Sequence, residues 1–274
     1  MSKLLMSSVA TTLIITAGGF DLDKFVKKHL AKNPNIKVEK VDLIGKKPIK
    51  NDPNWEAYMA LMHLKMGKKE LNIPDVIFVN RKTNLVALTL IDLKTGDNLK
   101  YKIRPDISNK YYDPKHLIAG NKDAEHKIVV FSDPQCPFCQ NYVPKLIKDA
   151  KANPKKIAVY YYHAPLLQLH PVSDTLTKAM VALHHKGKID DSLKMYKLKI
   201  DPRETDEKKI LKAIEKQFGI KLTSKEINDK KVLDALKHDK DMSDRMMVRG
   251  TPTVYFDGKH DENRQNYKKY INKK

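Results

Sequence analysis

The sequence predicts a mixed α/β (α+β) chain in two parts, a small N-terminal module and a larger C-terminal domain interrupted by helices. Three observations predict it. Short β-like runs separated by turn residues fill the chain between residues 36 and 103. A short apolar run, Lys127-Ile-Val-Val-Phe131, passes through a loop into a helical stretch, as a buried strand followed by a helix would. Helical periodicity then dominates from Ser173 to Arg245.

Length and composition agree with this. At 274 residues the chain exceeds the ~100–200 of a usual single domain, and its 41% apolar content is enough for a real core. The formal charge is +20. Its lysines are dispersed, as at Lys27, Lys28, Lys155, Lys156, Lys208 and Lys209, and stand among acids and apolar residues. Nucleic-acid binders concentrate charge in a stripe, a basic helix or an arginine-rich arm. A solvated basic surface that attracts anionic partners or membranes is therefore expected, and no nucleic-acid partner.

Taken in order, residues 1–19 read as a signal peptide, with Lys3 ahead of an apolar run from Leu4 to Ala17. That run is shorter than the ~20 residues a membrane span requires. The small residues Ala17, Gly18 and Gly19 offer cleavage positions, and a buried first strand or an uncleaved anchor are the competing readings. The expected product is exported and soluble. Leu22, Phe25, Val26 and Leu30 then share one face of a helix that Asp21 would cap. Ile36–Val41, Val76–Val79, Leu85–Leu88 and Leu99–Ile103 read as strands, and Trp55–Met66 as a methionine-rich helix with its apolar side chains in the core. This first module spans residues 20–104. Residues 105–126, with Pro105, Pro114, Asn109 and Asn121, read as a linker, and the second domain runs over 127–274.

The chemistry concentrates in Phe131-Ser-Asp-Pro-Gln-Cys136-Pro137-Phe138-Cys139, at the junction of strand and helix. The chain has two cysteines, too few for a disulfide framework, and no second C-x-x-C or H-x-x-x-H that would complete a zinc site, so no metal is expected. At the first helical turn, unpaired N–H groups and the helix dipole stabilise a thiolate on Cys136, making it both nucleophile and leaving group. Cys139, one turn on and deeper, can resolve a mixed disulfide. Pro137 suits the first turn, whereas Pro144 lies where a helix interior would be kinked. Far downstream, Gly250-Thr251-Pro252-Thr253-Val-Tyr-Phe256 reads as a loop with an X-Pro bond able to turn cis, leading into a strand. Ile157–Tyr162 forms a further strand, and His163 and His170 read as loop or core histidines in preference to proton carriers.

These stretches resemble the Dsb family of periplasmic disulfide enzymes. Phe131 to Cys139 is similar to the F-x-D-P-x-C-P-Y-C pattern of DsbG, a relative of the isomerase DsbC, and Thr251-Pro252 resembles the Thr–cis-Pro of that pair. The resemblance implies a thioredoxin fold with a helical insertion at about 173–245, preceded by a small cystatin-like dimerisation domain and a linker. It implies that Cys136 attacks and Cys139 resolves, and that Thr251, Pro252, Pro137 and Phe138 meet the substrate. The only redox group would be the Cys136–Cys139 disulfide, with no other cofactor. Partners implied are unfolded or misoxidised exported proteins, a DsbD-like or DsbB-like membrane protein, and a second copy of the chain.

Departures from the pattern qualify this. Phe138 replaces tyrosine, and there is no histidine of the kind in DsbA's C-P-H-C, so a less oxidising pair than DsbA's is expected. Val130 stands where thioredoxin has a buried acid, and Asp133 is open to either a capping or a redox role. Three activities follow: reduction or isomerisation of wrong disulfides, oxidation, and a chaperone function in which the cysteines are secondary.

Overall fold

The computed structural model of the protein describes residues 20–50 and 52–271. The expected signal peptide at 1–19 lies outside the described residues. The chain divides into two compact units, one running up to Leu71 and then Val76–Lys100, the other comprising Asn72–Asp75 and the chain from Tyr101 onward.

In the first unit, α1 (Leu22–Leu30) begins at Asp21, whose side chain accepts from the Lys24 amide at 2.9 Å. It buries Leu22 and Val26 against a four-stranded sheet ordered β1 (Lys37–Ile49), β2 (Asp52–Met66), β3 (Lys69–Asn80) and β4 (Leu85–Ala87). Trp55–Met66 is therefore strand, not helix. Its Ala, Leu and Met residues favour a helix in isolation, but pairing on both edges within the sheet outweighs a propensity worth only tenths of a kcal/mol per residue. Tyr58, Ala60, Met62 and Leu64 alternate onto the face that meets α1.

Leu99–Lys102 is likewise a short helix, α2, where a strand was expected. The Asn98 side chain accepts from the Lys100 amide at 3.0 Å and so offers the backbone a helical start.

The second unit holds a five-stranded sheet ordered β5 (Leu117–Ala119), β7 (Ile157–His163), β6 (His126–Ser132), β8 (Thr253–Phe256) and β9 (Lys259–His260). β6 and β7 run parallel, joined through α3 (Pro137–Ala152), and the other pairings are antiparallel. Between β7 and β8 come α4 (Ser173–His185), α5 (Ile189–Leu193), α6 (Glu207–Phe218), α7 (Ser224–Ile227) and α8 (Lys230–Arg245), which form the expected insertion; α9 (Lys268–Ile271) follows the sheet.

Residues 105–126 are not a linker. They supply β5 to the sheet edge, and Tyr111 is buried, its hydroxyl donating to the Met242 carbonyl at 3.1 Å. Proline and asparagine there mark short turns, with Asp113 capping the turn Pro114–His116, inside a segment that packs as core.

Candidate active site

Register explains why the two distant motifs meet. β8 pairs antiparallel with β6 so that Phe131 faces Thr253. The residues just before Thr253 therefore lie beside those just after Phe131, which sets the Thr251–Pro252 loop against the cysteine loop. The Thr251–Pro252 bond is cis, and the Thr251 carbonyl lies 3.2 Å from Cys136 Sγ.

Cys136 is the N-cap of α3, with extended backbone angles, and Pro137 follows in the first turn. The Cys136 carbonyl already accepts from the Gln140 amide at 2.9 Å. Cys136 is 5% exposed and Cys139 fully buried, and both stand as free thiols. Their ionisation is split. A hydrogen bond from Cys139 pushes the Cys136 thiol down to about 5, Thr251 and the amides of Cys139 and Phe138 add to this, and burial opposes it. Burial pushes the Cys139 thiol far up, and its hydrogen bond with Cys136 reinforces the shift. One sulfur is thus poised as a thiolate and the other held as a thiol. Pro137 is exposed, and Phe138 projects from the helix start with 69% of its surface open.

Asp133 is a clamp for the loops around the site. Its fully buried carboxylate accepts from the Gln135 amide at 2.8 Å, the Ser173 hydroxyl at 2.6 Å and the Leu166 amide at 2.9 Å. His170 Nδ1 lies 2.9 Å from it as well. One side chain thereby ties the cysteine loop, the 164–170 loop and the start of α4 together. His163, at the end of β7, has its amide bound to Asp239 at 2.9 Å, and burial pushes its imidazole down to about 4. It is a neutral core histidine at pH 7.

Behind Cys139 lie groups the sequence reading did not single out. Ser132 Oγ is 2.6 Å from Tyr196 Oη, which is 2.7 Å from Tyr161 Oη, and all three residues are buried. A serine closing the apolar run of β6 was the visible sign; Tyr196 comes from the insertion and carries no local signal. Among the described residues, no group of three or more His, Cys, Asp or Glu is arranged to hold a metal ion.

The family model described as Thioredoxin matches residues 113–272, more than half of the chain. No curated protein sequence matches. Among solved structures, the chain is similar to oxidised BdbD from Bacillus subtilis, at 18% identity and a TM-score of 0.48 over 62% of this chain and 95% of that one. A thioredoxin-like oxidoreductase from Silicibacter pomeroyi is similar at 19% identity and a TM-score of 0.46, over 56% and 87% of the two chains. The catalytic domain of Proteus mirabilis ScsC is similar at 22% identity and a TM-score of 0.44, over 60% and 94%.

Proposed function

The chain belongs to the thioredoxin family, and from that premise we propose that it is a thiol–disulfide oxidoreductase that reduces or isomerises disulfides of exported proteins, as DsbG and DsbC do. The observation that carries the reading is the geometry of the pair: Cys136 caps the start of α3 with its Sγ 3.2 Å from the Thr251 carbonyl of the cis-proline loop, and the fully buried Cys139 stands one turn behind it. Cys136 Sγ attacks a client disulfide, releasing one client sulfur as a thiolate and forming a mixed disulfide. Cys139 then attacks Cys136 Sγ, releasing the second client sulfur and leaving the Cys136–Cys139 disulfide. In this reading the client is met by the Thr251 backbone, whose carbonyl lies beside the attacking sulfur, by Pro252 and by the exposed Pro137 and Phe138.

The reductive or isomerising direction is supported by the DsbG-like Phe131–Cys139 stretch and the Thr–Pro loop. In this reading the protein acts in the periplasm after export, as a homodimer, and a DsbD-like membrane protein keeps it reduced. A second reading, an oxidase recharged by a DsbB-like quinone reductase, is favoured by one observation. A thiolate stabilised to about 5 stabilises the reduced form and so makes the disulfide a better oxidant. Trapping the thiols in intact cells by acid quench and alkylation separates the two: a mainly reduced pair supports reductase or isomerase work, and a mainly oxidised pair supports the oxidase. Insulin reduction that survives in Cys136→Ser would overturn both.

A further inference from the structure

Disulfide exchange leaves unused a loop of the first unit, between β4 and α2. Leu93 stands at its tip with 97% of its surface open. Ile91, 50% open, and Leu88, 41% open, precede it along the chain. Exposed apolar residues scattered singly are ordinary on a protein surface, but here three fall close together and one of them is covered by nothing.

The loop is held rigid by its own bonds. Ile91 and Asn98 form a β-bridge, and the Leu99 amide donates to the Leu90 carbonyl at 2.9 Å, closing the base. Above it the Asp92 amide donates to the Asp97 carbonyl at 2.9 Å, and the Gly96 amide to the Asp92 carbonyl at 2.8 Å. The Asp92 carboxylate accepts from the Lys94 amide at 2.8 Å, and the Asp97 amide donates to the Thr95 hydroxyl at 3.2 Å. A tip already ordered loses little entropy on docking. Because these backbone groups have partners within the loop, the tip can also leave water for an apolar medium without stranding them.

Charge says what the medium is. Asp92 is turned toward the amides of its own loop, whereas the neighbouring Lys94 is exposed and has no ion pair among the described residues. The chain as a whole carries a charge of +20. A rigid apolar tip beside an uncompensated cation, on a strongly basic protein, fits the interface of an anionic bilayer. Acyl chains take the leucine there, and headgroup phosphates take the lysine. A second copy fits less well, since a two-fold contact needs a self-complementary patch and not one side chain at the apex of a turn.

We propose that the Leu93 loop docks the protein peripherally on anionic membrane surfaces, with Leu93 in the interface and Lys94 at the headgroups. This docking is independent of the exchange chemistry proposed above.

Sedimentation of the full-length protein with lipid vesicles tests it, comparing phosphatidylcholine alone with an equal mixture of phosphatidylcholine and phosphatidylglycerol. At low salt, partition onto the anionic vesicles should exceed that onto the neutral ones by about tenfold or more, and it should fall as salt is added. Leu93→Asp, at a side chain almost wholly in water, should lower that partition about tenfold and leave the fold intact. Both proteins carry the apolar run Leu4–Ala17, so whatever it adds is common to them. Leu93→Trp reads the place of contact: on anionic vesicles its indole should be quenched by brominated acyl chains, beyond any quenching of Trp55 in the wild type. Absent or equal binding to the two vesicles overturns the proposal, as does binding unchanged in Leu93→Asp or an added indole that brominated lipid leaves bright. A Leu93→Asp protein that loses oligomeric mass while its vesicle binding stays also overturns it, because the loop then contacts a second copy.

Discussion

Cys136 and Cys139 are separated by one helical turn yet titrate in opposite directions, which gives two measurable consequences at the residue scale. Thiolate absorbance of the reduced protein should rise with a midpoint near 5 and disappear in Cys136→Ser. A thiol depressed from an unfolded value of about 8.5 is deprotonated in the folded state where the unfolded state still holds its proton. The reduced protein should therefore gain stability as pH rises from about 5 to about 8.5, by up to about 1.4 kcal/mol per unit, and lose it again as pH falls through the folded value. Above that window the raised Cys139 thiol acts in the opposite sense, since the unfolded chain then loses a proton the folded chain keeps. Denaturant unfolding of reduced and oxidised protein across pH checks this, and parallel curves for the two forms would contradict it. Asp133 gives a second prediction. Asp133→Ala strips the acceptor from two amides, a hydroxyl and an imidazole in a buried setting, and should cost about 3 kcal/mol in urea unfolding. Legibility at this scale followed sequence distance. Cys136, Cys139, Pro137 and Phe138 lie within one short motif, and Thr251-Pro252 is a dipeptide with its own signature. The Ser132–Tyr196 contact bridges 64 positions and depends on how the insertion folds back, which no local pattern encodes.

At the scale of elements, strands and helices with strong periodicity were legible: α1 with its Asp21 cap, β6, β7 and the helical insertion all fall where the apolar spacing puts them. The misreadings fell where tertiary pairing outweighs composition. β2 is a central strand made of helix-favouring residues, and β5 is a three-residue edge strand amid turn residues, too short to show alternation. The turn after β5 yields a sharp test. Gly120 has φ +80°, and a Cβ there would stand 1.8 Å from the Ile157 carbonyl oxygen, at the start of β7. Gly120→Ala must push backbone against backbone and should cost about 3 kcal/mol, loosening the β5–β7 edge. Gly219 closes α6 with φ +69° and has open space around it, so Gly219→Ala meets the left-handed penalty alone, about 1 kcal/mol. Thermal or urea unfolding of the two variants should rank them in that order, and equal losses would mean that close approach, not chirality, has been misjudged as the larger effect.

At the scale of the whole molecule the dominant feature is charge. With 53 basic and 33 acidic residues, pairing every acid would still leave 20 cationic groups uncompensated. Pairs such as Lys27–Asp23 and Lys230–Asp234 sit at i,i+4 on exposed helix faces, where they contribute little to stability and leave the long-range field almost unaltered. That field reaches about 30 Å at 10 mM salt and shrinks to a few ångströms near 1 M. It acts on the encounter between protein and client and not on the exchange between sulfurs, because Cys136 is buried against Thr251 and its local hydrogen bonds are not screened by bulk salt. The two contributions therefore separate by substrate. For a polypeptide disulfide of strong negative charge, kcat/KM should fall about tenfold between 10 mM and 0.5 M salt, the loss appearing in the association step. For a small neutral disulfide it should change by less than about twofold, since there is no charge to steer. If both substrates lose rate in parallel, salt is acting on the cysteine pair itself, and the surface charge has no part in selecting clients. If only the acidic substrate responds, the excess of lysine works as a collector of anionic chains around an exchange site whose own chemistry is indifferent to charge.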